Sequence, residues 1–155
     1  MEKIDSEKLD PQFKYDVSLH PGGDNIKLCF ACGTCTAACP VAEIDPDFNP
    51  RKIIRQVLLG FRKEVLGSPV IWRCVQCYSC TAKCPQNVKF RDVMKALREM
   101  AAKEGYVKPE LLAEVEQLDK FSQKMRRDLV NALVSDPGKF KSLKNKIEQS
   151  SAAQS

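Results

Sequence analysis

Histidine is nearly absent from this chain: His20 is the only one in 155 residues. No Ser/His/Asp set forms around it, no G-x-G-x-x-G follows a strand, and no P-loop is present. Nucleophilic, dinucleotide and triphosphate chemistry therefore find no residues to carry them. Long apolar runs are missing too, none approaching the roughly 18 residues that span a bilayer. The opening MEKIDSEKLDPQ is acidic and polar, unlike a secretory or mitochondrial targeting segment. Strand signals are scarce, and glycine, at seven residues, builds no flexible linker. No cysteine is left over for a disulfide framework, which points to a reducing, cytoplasmic compartment.

What the chain does have is two copies of one motif. Residues 29–40 read CFACGTCTAACP and residues 74–85 read CVQCYSCTAKCP, sharing seven of twelve letters. All eight cysteines fall inside them as C-x2-C-x2-C-x3-C-P: Cys29, Cys32, Cys35 and Cys39, then Cys74, Cys77, Cys80 and Cys84. This spacing is the ligand run of a cubane iron–sulfur centre. Three thiolates three residues apart curl around one face of a compact cluster. The fourth precedes Pro40 or Pro85, whose fixed φ and missing donor turn the chain away toward the neighbouring cluster. Cys29, Cys32, Cys35 and Cys84 are thus expected to hold one [4Fe–4S] centre, and Cys74, Cys77, Cys80 and Cys39 the other. Zinc prefers separated C-x2-C or Cys/His pairs closing one tetrahedron, which a three-step ladder ending in C-P fits poorly.

Gly33, Thr34, Thr36, Ala37 and Ala38 are small enough to let backbone amides approach the first centre. Phe30, Val41, Ile44, Val75, Tyr78 and Val88 are expected to exclude water, and Lys83 to lie at the surface. The formal charge is +5, but each oxidised cubane with its thiolates carries about −2, leaving a holoprotein near +1. Charge is also uneven: residues 1–48 hold four Lys/Arg against nine Asp/Glu, residues 49–105 twelve against four. The basic part compensates the clusters and solvates helix faces, or offers an acidic partner a docking surface.

The coarse organisation is mainly α. Phe13, Tyr15, Val17 and Leu19 alternate with polar residues, predicting a short strand or extended N-terminal arm over residues 1–23. Asn49-Pro50 caps a helix carrying Ile53, Ile54, Val57, Leu58 and Phe61, expected to run to about Leu66. Phe90, Val93, Met94, Leu97 and Met100 predict a helix ended by Gly105. Lys108-Pro109 starts further helices within 106–149, one of them near 137–148, before a disordered tail at 150–155. Residues 24–105 would be an α-helical ferredoxin domain with two [4Fe–4S] clusters and a C-terminal helical extension. With four ligands per cluster no iron is open to substrate, so the chain is read as a carrier of electrons and not itself a catalyst.

The two motifs, the lead-in HPGGDNIKLC and the entry WRCVQC resemble the iron–sulfur C subunit of heterodisulfide reductases, over roughly residues 10–105. The resemblance implies an electron-transfer subunit working between two others, a flavin- and cluster-bearing A subunit and a cysteine-rich B subunit that reduces a disulfide. It makes the eight cysteines the functional residues. Other flavin-linked dehydrogenases use the same helical module, and a free two-cluster ferredoxin is a further alternative. A cluster- or zinc-containing nucleic-acid module would lean on Arg51, Arg55, Arg62 and Arg73, a thin set.

Overall fold

In the computed structural model the described residues are 9–136, 138, 140–142, 144 and 145. Among them the regular elements are helices, with no strand. They fall into two compact units that divide between Leu112 and Ala113.

The expected extended arm is a helix instead. Helix α1 spans Phe13–Leu19, opened by Asp10, whose Oδ1 accepts from the Gln12 amide at 2.9 Å. Phe13 and Val17, one turn apart, are fully buried, while Tyr15 and Leu19 are 44% and 82% exposed. The alternation of four apolar residues suggested a strand, but the core takes only the pair spaced i,i+4. Residues 10–19 are then pinned by Arg62. Its guanidinium meets Asp10 Oδ2 at 2.8 Å, Asp16 Oδ2 at 2.5 Å and Glu104 Oε1 at 2.6 Å, and lies over the Phe13 ring.

Two short helices carry the first motif on, α2 at Thr34–Ala37, which holds Cys35, and α3 at Pro40–Ile44, which follows Cys39. Helix α4, Pro50–Leu59, starts as expected with Asn49 Oδ1 accepting from the Lys52 amide at 3.0 Å. It buries Ile53, Ile54 and Val57. It stops seven residues earlier than expected, because Gly60 takes φ +90° and breaks the helical path. A Cβ on Gly60 would stand 2.4 Å from the Asp10 carbonyl oxygen, so glycine lets the α1 lead-in approach. Helix α5, Arg62–Leu66, resumes with Val65 and Leu66 buried. A 3-10 turn at Pro69–Trp72 buries Ile71 and delivers the chain to the second motif.

Helix α6, Ser79–Ala82, repeats α2. Helix α7, Phe90–Lys103, is the spine of the unit: Phe90, Val93, Met94, Leu97, Met100 and Ala101 are buried. It ends as expected before Gly105, at φ +77°. Beyond it, α8 runs unbroken over Glu110–Ser135, resolving the choice between one helix and two. None of its residues is buried. Residues 140–142, 144 and 145 are helical; the rest of the expected 137–148 helix, the 150–155 tail and residues 1–8 lie outside the described residues. No helix among the described residues is long and apolar enough to cross a membrane.

Candidate metal centres

The two motifs bring their cysteines to two neighbouring cavities. The first, about 350 Å³ including space open to solvent, has Cys29, Cys32, Cys35 and Cys84 in its wall. The second, about 300 Å³, has Cys39, Cys74, Cys77 and Cys80. The fourth cysteine of each motif therefore stands in the wall of the other motif's cavity. Phe90, from the first turn of α7, and Cys80 border both. All eight thiols are free.

The local backbone explains how each loop closes on its cavity. Ala31 (φ +59°) and Gly33 (φ +86°) in the first copy correspond to Gln76 (φ +50°) and Tyr78 (φ +66°) in the second. Left-handed residues set between right-handed ones turn successive N–H groups toward one concavity, an anion-binding arrangement. Only Gly33 adopts it without a Cβ penalty; Ala31, Gln76 and Tyr78 each hold strain of about 1–3 kcal/mol. The same departure at the same two positions in both copies marks the loops as shaped for what they enclose.

Burial and hydrogen bonding divide the thiols. Cys32 and Cys77 are exposed, Cys74 and Cys80 buried, the rest half-buried. The Thr34 hydroxyl, 3.3 Å from Cys32 Sγ, lowers that thiol's pKa, helped by the Thr34 amide. Burial pushes Cys35, Cys74 and Cys80 up. A buried thiolate is costly without a compensating cation, and iron supplies that cation as it displaces the protons. Val88 N–H donates to Cys84 Sγ at 3.4 Å in the first site, and the Arg91 amide favours the Cys80 thiolate in the second.

The residues fit cubane clusters rather than single ions. The four thiols of each expected set line about 300–350 Å³ of space, including space open to solvent, in the two cavities. Two side-chain donors buried there, Thr81 Oγ1 and Arg91 Nε, belong to the second site. Thr81 adjoins Cys80, whose thiolate it favours, and Arg91 lines the cavity. A guanidinium in that wall suits an anionic cluster.

Several expectations about the surroundings change. Val41 and Val88 are buried at 7% and 2%, but Phe30, Ile44, Val75 and Tyr78 are 59%, 83%, 49% and 53% exposed. Water is instead excluded by Ile54, Phe48 and Phe90, which α4, the loop before it and α7 bring into the cavity walls. Lys83 is exposed, as expected. His20 sits away from both cavities, 3.6 Å from Glu99. Arg98 was not foreseen. It is 3% exposed, and its guanidinium donates to the carbonyls of Ile71 at 2.9 Å, Trp72 at 3.0 Å and Cys74 at 2.8 Å. Its signal in the sequence is a charged residue at the buried register of α7, one turn after Met94.

Comparison with known proteins matches residues 25–88 to a family described as a 4Fe-4S dicluster domain. The chain is 41% identical over 101 residues to the C subunit of the H(2):CoB-CoM heterodisulfide,ferredoxin reductase of Methanothermobacter thermautotrophicus, covering 65% of this chain and 54% of that one. It is 38% identical over 102 residues to the iron-sulfur C subunit of the CoB--CoM heterodisulfide reductase of Methanopyrus kandleri, covering 66% and 50%. Against the C subunit of the Ferredoxin:CoB-CoM heterodisulfide reductase of Methanosarcina acetivorans it is 45% identical over 85 residues, covering 55% and 34%. The matched stretch spans about half the length of the first two relatives.

Proposed function

From the premise that residues 25–88 are a 4Fe-4S dicluster domain, holding two [4Fe–4S] clusters, we propose that this chain is the electron-transfer subunit of a heterodisulfide reductase-like complex. It relays electrons between an A-like flavin and iron–sulfur subunit and a B-like cysteine-rich subunit that works on a disulfide or thiol. Cys29, Cys32, Cys35 and Cys84 hold one cluster; Cys74, Cys77, Cys80 and Cys39 hold the other. The clusters supply one-electron chemistry when bound. The chain's own part is to fix them side by side, with Phe90 between, and to keep water from their inner faces.

The observation that carries the reading is the pairing of two adjacent thiol-lined cavities, each with one exposed cysteine, Cys32 or Cys77. Two sites in one small unit suit an entry and an exit for an electron. Apolar side chains stand exposed beside them: Leu28 and Phe30 next to Cys29, Val75 and Tyr78 flanking Cys77. Such residues suit anchoring by docked partners better than free diffusion. A nucleic-acid role loses ground because Arg62 is taken up by three carboxylates and Arg73 by Asp45 at 2.8 Å.

Anaerobic native purification tests the proposal. The expected result is about eight iron and eight acid-labile sulfides per chain, with a flavoprotein and a second cysteine-rich subunit retained at moderate salt. A monomer that shuttles electrons among unrelated reductases would replace the relay with a diffusible ferredoxin. Cys84→Ala tests the crossed ligand sets. The EPR signal of the centre with Cys29, Cys32 and Cys35 should change, and loss confined to the Cys74 centre would refute them.

A further inference from the structure

The two sites are built alike in backbone and differently in charge. Each cavity receives the four cysteines of its expected set, with Cys80 bordering both, and two left-handed loop residues. Each has a backbone amide beside a cysteine sulfur, Val88 N–H donating to Cys84 Sγ and the Arg91 amide favouring the Cys80 thiolate. The side chains break this symmetry. In the first site Arg51 is exposed, so water screens its field. Thr36 favours the neighbouring Cys35 thiolate, but its hydroxyl is shared, donating to Asn49 Oδ1 at 3.0 Å and accepting from the Arg51 amide at 3.1 Å.

In the second site the corresponding Thr81 hydroxyl is buried and engages only the neighbouring Cys80, whose thiolate it favours. Arg91 Nε is buried without a partner, while Arg91 Nη1 pairs with Asp92 Oδ1 at 2.8 Å. The Arg91 guanidinium lies over the Tyr78 ring, 4.6 Å from its centroid, against the cavity. Behind Cys74, the buried guanidinium of Arg98 holds the Ile71, Trp72 and Cys74 carbonyls. A buried positive charge and donors beside a cysteine ligand stabilise the added electron of a reduced centre, and low local dielectric strengthens both effects.

We propose that Arg98, Arg91 and Thr81 make the site of Cys74, Cys77 and Cys80 the stronger electron acceptor of the two. An electron lost from the first site is gained at the second, and nothing else changes oxidation state. The first site then faces the weaker oxidant among the partners and the second holds the electron for release. Arg98 acts as a positioning and tuning residue, since it reaches the site through the Cys74 backbone. This inference rests on the two-cluster reading, not on the identity of the partner subunits.

The test is a potentiometric EPR titration of the anaerobic full-length holoprotein. Cys32→Ser and Cys77→Ser mark which signal belongs to which motif. In the wild-type protein the Cys77-marked signal should appear first on reduction. Arg98→Met should weaken that centre as an acceptor by at least tenfold, a 59 mV fall for a one-electron couple, with less than half that shift at the other centre. Arg98→Lys, which keeps the charge, should recover most of the loss. Arg91→Met and Thr81→Val should move the same centre in the same direction, and they decide the matter if Arg98→Met fails to fold. Equal potentials, earlier reduction of the Cys32-marked centre, or equal shifts at both centres would overturn the inference. Iron far below eight per chain would remove its two-cluster premise instead, a separate and recognisable result.

Discussion

Gly33 and Gly60 both lie at positive φ, +86° and +90°, yet their surroundings differ. A Cβ on Gly33 would meet nothing nearer than the Arg51 side chain at 3.8 Å, whereas on Gly60 it would strike the Asp10 backbone at 2.4 Å. Gly33→Ala should therefore cost only the left-handed penalty, about 1–2 kcal/mol. Gly60→Ala should cost more, because α1 must move as well; thermal melts of the two variants give the order. The cysteines were fully legible in the sequence because their spacing is a local property of the loop that bears them. Arg98 left only the trace of a charge at the buried register of α7, and Arg91 and Thr81 none, since a side chain's burial, and for Arg98 carbonyl partners 24 or more residues away, follow from packing.

At the scale of elements, α1 shows how a pattern misleads. Four alternating apolar residues satisfy a strand period, yet Phe13 and Val17 also satisfy i,i+4, and the groove beside α4 and α7 accepts only that pair. The segment is consequently part of the core and not a detachable arm. Deleting residues 1–20 should lower the melting temperature and loosen cluster retention, measured by iron assay after gel filtration. Arg62 holds this corner through three carboxylates, with side-chain exposures of 23–33%. Solvent screening discounts each pair, so Arg62→Met should cost about 1–2 kcal/mol in all, less in high salt. Helices α4, α7 and α8 were readable because their caps and apolar stripes agree. The early stop of α4 was not, because Gly60 answers to Asp10, fifty residues away.

At the scale of the molecule, α8 carries no buried residue, and both cavities lie in the unit before it. Removing residues 113–155 should leave about eight iron per chain and an unchanged visible spectrum; loss of iron would show that the extension supports the centres. The helical class was legible because strand signals are scarce, and the two clusters because eight cysteines carry their ligand spacing. An extension beginning after residue 105 was expected from the sequence; the two units divide seven residues later, between Leu112 and Ala113.

The exchange of fourth cysteines between the loops has a consequence for the protein's lifetime. Cys84 sits in the first cavity's wall and Cys39 in the second's, so neither loop can be dismantled alone. With the proposed ligand sets, loss of either cluster releases a cysteine loop that also bears a ligand of the other, loosening the stretch between residues 39 and 84 that both clamp. Decay should therefore run as a single collapse: in air or with chelator, iron release should follow one kinetic phase rather than two. A chain of this kind is either whole or lost, and a half-repaired molecule that strands electrons midway has little time to exist.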